Sequence, residues 1–92
     1  MIPPMLFMIV ETFPDTLAVY RRLRDEGRSA PAGFEVRGAW VDAALGRCFM
    51  LVEADEVSAI QAWAAHWEDL GDFEVVPVLD GSETARRLDP LL

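Results

Sequence analysis

Apolar positions in this chain fall into short unbroken runs and longer spaced ones, and the two kinds predict different elements. Met5 to Val10 and Cys48 to Val52 are apolar throughout, with no turn former, and read as strands. The strands predicted are Met5 to Glu11, Phe34 to Asp42, Arg47 to Ala54 and Asp72 to Leu79, with Ala43 to Gly46 as a hairpin turn. A first helix follows Thr12 as N-cap, with Pro14 in its first turn and Asp15 near its positive end. Phe13, Leu17, Tyr20 and Leu23 fall on one face, Arg21, Arg24 and Arg28 on another, and Gly27 stops the helix. Asp55 caps a second helix reaching about Glu68, with Val57, Ile60, Trp63, Ala64 and Trp67 at helical spacing. A short C-terminal helix is expected over 82–89, after a core spanning 5–80, so residues 1–92 read as one domain.

The order is βαββαβ, the pattern of an α+β, ferredoxin-like antiparallel sheet with two helices on one face. It is expected to place the first and third strands side by side and parallel at the centre. Pro77 marks the fourth strand as an edge, because proline cannot donate to a ladder on both sides. Phe7-Met8-Ile9-Val10-Glu11 returns as Phe49-Met50-Leu51-Val52-Glu53, and Phe34-Glu35-Val36 as Phe73-Glu74-Val75. The offsets of 42 and 39 residues give both halves a strand, helix, strand layout and suggest an internal repeat. A sheet with one wet face should alternate apolar and polar residues, and the central strands do not. The second face is therefore expected to be covered by another copy, two sheets pairing across a twofold axis as a dimeric α/β barrel.

Composition narrows the chemistry. The 92 residues carry a net charge of −8, all eight cations are Arg, and Lys and Asn are absent. Nucleic acid and anionic membrane surfaces are improbable partners for such a chain. No Schiff-base or P-loop lysine exists. One His and one Cys exclude zinc fingers and disulfide frameworks, so no metal or cofactor is expected. The apolar start has no basic n-region or cleavage site and runs into Glu11, which reads as a strand and not a signal peptide. A lone Cys48 in an apolar stretch fits a reducing cytoplasm, and the missing AA-codon residues fit a GC-rich bacterial genome.

Three stretches resemble a known family. They are Met5 to Phe13, Gly38-Ala39-Trp40-Val41-Asp42 with Arg47-Cys48-Phe49, and Trp63 to Leu70 running into Phe73 to Val78. Together they are similar to the small bacterial proteins called domain of unknown function 3303, over roughly residues 5–80. The resemblance implies a ferredoxin-like, dimeric α/β-barrel type of fold. That class also holds cofactor-independent monooxygenases, dehalogenation-related and stress-response proteins. It implies no activity and no site residue.

The residues themselves offer several candidates. Glu11 and Glu53, at equivalent strand ends, are candidates for a carboxylate pair sharing a proton, against the plainer reading of two strand-end acids. His66, the single group with a near-neutral intrinsic pKa, is a candidate acid or base, or a structural residue against indole surface at a helix C-terminal end, three residues after Trp63. Tyr20, Trp40, Trp63 and Trp67 are candidates to line a pocket for a flat ligand, or simply the core. Arg24, in an Arg-rich helix, is a candidate clamp for an anion, or part of a solvated face. Two functions stay open. One is a dimeric module binding a small, largely apolar or aromatic molecule between sheet and helices. The other is a cofactor-independent, monooxygenase- or isomerase-like enzyme using His66 or the Glu11/Glu53 pair.

Overall fold

The computed structural model describes residues 5–92, and the expected strand start at Met1 to Pro4 lies outside them. The chain is α+β, with a four-strand antiparallel sheet and three helices, an arrangement compatible with a ferredoxin-like fold. The strands are β1 (Met5–Thr12), β2 (Phe34–Val41), β3 (Arg47–Ala54) and β4 (Asp72–Val78). The helices are α1 (Thr16–Glu26), α2 (Val57–Trp67) and α3 (Gly81–Leu88), the last followed by a short 3-10 turn (Asp89–Leu91). No helix among the described residues is long and apolar enough to cross a membrane.

The sheet order is β2-β3-β1-β4, which puts the Pro77 strand at an edge. The expectation of a parallel central pair is overturned, because β1 and β3 run antiparallel, from Met5 opposite Ala54 to Thr12 opposite Arg47. The physical reason is connectivity. A helix crossover returns β2 parallel to β1, and the tight β2–β3 turn then reverses the chain, so β3 must oppose β1.

That reversal decides which residues face the helices. Phe7, Ile9 and Glu11 of β1 point to the helix layer, together with Cys48, Met50, Val52 and Ala54 of β3. These positions are odd in β1 and even in β3, so the even 42-residue offset of the sequence repeat carries each residue to the opposite face. Phe7 is buried under the helices while Phe49 lies on the open side. The halves share a layout but not a residue-by-residue repeat.

The core closes with Val19 of α1 and with Ile60, Trp63 and Trp67 of α2. Trp63 stacks on Phe34 at 5.4 Å between ring centroids and meets Phe73 at 4.9 Å. Both predicted N-caps shift. Thr12 stays in β1, paired with Arg47 and Asp72, and Asp15 caps α1 by accepting from the Ala18 N–H at 3.1 Å. Two ladders hold Thr12 more firmly than one cap, worth about 1 kcal/mol, would release it. The late start turns the helix, so that Val19 is the buried anchor and Leu17 is 65% exposed. At α2 the N-cap is Glu56, whose side chain makes no capping bond, while Asp55 stays outside the helix with its N–H donating to the Gly33 carbonyl at 3.1 Å. Gly27 ends α1 as expected, at a φ of 73° that a side chain would strain.

The other sheet face is open and largely apolar. Leu6, Met8 and Val10, with Phe49 and Leu51, lie half-buried along its centre, flanked by Trp40, Val76 and Val78. Trp40 lies across Gly38, where an added Cβ would come within 2.5 Å of the indole. Helix α3 has no buried residue, and its substantial packing among the described residues is against the turn after it. The radius of gyration of 15.1 Å therefore exceeds the roughly 12 Å of a compact chain this long.

Candidate functional site

Between the helix layer and the sheet lies a cavity of about 240 Å³. Helix α1 lends it Val19, Tyr20 and Leu23, and α2 lends Trp63 and Trp67. The sheet contributes Val36, Ala39 and Val41 from β2, Met50 from β3, and Phe13 just past β1. Its polar lining is Glu11, Cys48 and Arg28.

Glu11 is there because it is the last inward position of β1, two residues beyond Ile9. It is 7% exposed, the buried charged residue of the core. Cys48 is its direct cross-strand partner, so the thiol and the carboxyl share a face and hydrogen-bond. Loss of water raises the Glu11 pKa above its ordinary value of 4.5, opposed by the Cys48 hydrogen bond and the positive charge of Arg28. Burial, and then the neighbouring carboxylate, push the Cys48 thiol up to about 12. That thiol is a packing group and a donor to Glu11, not a nucleophile.

Arg28 stands at the rim, in the loop after α1. The Trp67 indole N–H donates to its carbonyl at 3.0 Å and pins the loop to α2. The two residues that flank it, Gly27 (φ 73°) and Ser29 (φ 55°), both have positive φ and turn the chain around it. Among the described residues its guanidinium has no carboxylate within ion-pair distance, and its side-chain contact is the Met50 sulfur at 3.9 Å.

Of the candidates read from sequence, the structure brings Glu11, Tyr20, Trp63 and Trp67 to this cavity. It does not bring the rest. Glu53 lies on the open face, opposite Leu6 and paired with Arg37. Glu11 lies opposite Cys48, five residues or about 17 Å away along β3 and on the other face, so the carboxylate pair is overturned by the antiparallel register. His66 is exposed on α2, edge-on to Trp67, and contributes its carbonyl to Arg22. Trp40 is 59% exposed on the open face. Arg24 is exposed and paired with Asp25, so the guanidinium that meets the cavity is Arg28. The sequence groups Arg28 with Arg21 and Arg24 on one helical face, but α1 ends before it, at Gly27, and the loop carries it to the cavity instead. Cys48 becomes legible only with the register that opposes it to Glu11.

Among the described residues no group of three or more His, Cys, Asp or Glu side chains is placed to hold a metal ion. The arrangement offers an apolar chamber, one carboxyl able to hold a proton, and one fixed cation. No curated protein and no solved structure matches the chain. One family model does, over residues 5–92, and the chain belongs to that family, Domain of unknown function (DUF3303).

Proposed function

We propose that the chain is a binding module for a small, largely apolar molecule held between sheet and helices, working as a homodimer through the open sheet face. The observation that carries the reading is the cavity. Its 240 Å³ falls just below the roughly 300 Å³ at which ligand pockets usually begin, which fits a ligand about the size of one substituted ring. The aromatic walls supply flat apolar contact, and the few polar groups would orient it. The test is titration of tryptophan fluorescence with indole and toluene, Trp63 and Trp67 being the reporters. Saturable quenching that disappears in a cavity-filling Leu23→Trp variant supports the reading, and absence of any saturable signal refutes it.

The dimer rests on the open face. Four strands spaced about 4.8 Å apart, seven residues long at about 3.4 Å each, give a flat footprint of about 450 Å². Side-chain relief, together with exposed Leu88 of α3 and Leu91 of the turn after it, would raise this toward the roughly 800 Å² per partner of a standard interface. A footprint of this size lies within the roughly 300–600 Å² of the largest patch on a typical monomer, and such patches are often functional.

Glu11 favours a second reading, a cofactor-independent enzyme in which this one carboxyl moves a proton to or from a bound carbonyl compound. Glu11→Gln separates the two, since binding survives it and turnover does not.

A further inference from the structure

We infer that the cavity selects an oxyanion, a small aromatic carboxylate being the class that fits, gripped between the Arg28 guanidinium and a protonated Glu11. The inference rests on the binding reading above and names its ligand. Arg28 is an exposed cation at the rim of a largely apolar cavity, with no carboxylate within ion-pair distance among the described residues, and its planar fork matches a carboxylate better than any neutral group. Its position is fixed from the backbone side by the Trp67 indole. Glu11, lining the same cavity, is buried beside its cross-strand neighbour Cys48, and that burial raises its pKa. An anion bound here would meet the buried Glu11 as a second carboxylate, and two such groups in close contact hold one proton between them. Glu11 would then donate to the ligand while Arg28 neutralises it. The net charge of −8 does not forbid this, because charges more than about 8–10 Å away are screened at physiological salt.

One consequence is a built-in pH dependence, with affinity falling as pH rises and Glu11 loses its proton. The titratable and charged groups facing Glu11 are Cys48 from β3, Arg28 from the loop and Tyr20 from α1. Its β4 neighbour Phe73 and the α2 residues Trp63 and Trp67 bring none.

The experiment is calorimetric titration of the full chain with benzoate and with benzyl alcohol, its neutral counterpart. Benzoate is expected to bind about tenfold or more tighter, a charge-assisted hydrogen bond being worth that much. Arg28→Gln is expected to erase the preference, benzoate then binding no more tightly than benzyl alcohol; the side chain is exposed, so the fold is not at stake. Glu11→Gln, which still donates, keeps benzoate binding and abolishes its pH slope. Benzyl alcohol binding as well as benzoate, or indifference of benzoate to Arg28→Gln, overturns the inference and leaves the binding module standing. Binding of neither overturns both.

Discussion

Leu51→Glu tests the proposed dimer at its centre. Leu51 sits mid-way along β3 on the open face, opposite Met8 on one side and Gly38 on the other. Its side chain points away from the helix-packed core, so the protomer should fold, losing no more than about 1 kcal/mol. In a twofold interface every substitution counts twice. Completing the burial of a half-buried Leu contributes about 1–1.5 kcal/mol per copy. A carboxylate trapped without a partner costs at least about 1 kcal/mol more per copy. Glu35 and Glu53 on the same face add like charge. The sum, at least about 4 kcal/mol per dimer, weakens association about a thousandfold or more. Sedimentation equilibrium at micromolar concentration should give twice 10.3 kDa for the native chain and 10.3 kDa for the variant, with unchanged far-ultraviolet circular dichroism. A native chain that sediments as a monomer refutes the reasoning, and so does a variant that still pairs as tightly.

The other expectations concern single protomers. Because the Glu11 pKa is raised, the folded state keeps a proton that the unfolded chain releases above 4.5; this stabilisation is complete below 4.5 and lost as pH rises through the folded value. Glu11→Gln should therefore gain on the native chain in thermal melts as pH rises, and a constant difference would contradict the assignment. Cys48, with its thiol pushed up to about 12, should resist a thiol reagent at mildly alkaline pH until denaturant is added; rapid labelling of the native chain would count against its burial. Leu45 takes a left-handed φ of 66° in the β2–β3 turn while mostly exposed. Leu45→Gly should relieve about 1–2 kcal/mol of strain against about 0.5–1 of added chain entropy, raising Tm by a few degrees. Trp67→Phe should lose the bond to the Arg28 carbonyl and about 1 kcal/mol, read by denaturant melts, and no loss would show that the loop is not pinned there.

Local chemistry determined much of this protein. The short unbroken apolar runs, too brief for a core helix and free of turn formers, specify strands, and the Ile60, Trp63 and Trp67 spacing specifies the α2 core stripe. Gly27 stops α1 because of its own backbone freedom, and Tyr20, Trp63 and Trp67 could be named as pocket residues from aromatic content alone. What tertiary structure decided was direction and parity. Antiparallel pairing of β1 with β3 sends Glu11 under the helices beside Cys48 and Glu53 to the far end of the open face, dissolving a pair that sequence similarity had suggested. A side-chain period of two makes one residue of register the difference between core and surface, and no local signal encodes the register of strands separated by a helix. Arg28 is the same lesson in a loop. Its neighbours in the chain mark it only as one more Arg of a helical face, and the distant Trp67 indole, bonded to its carbonyl, ties its loop to α2 beside the cavity.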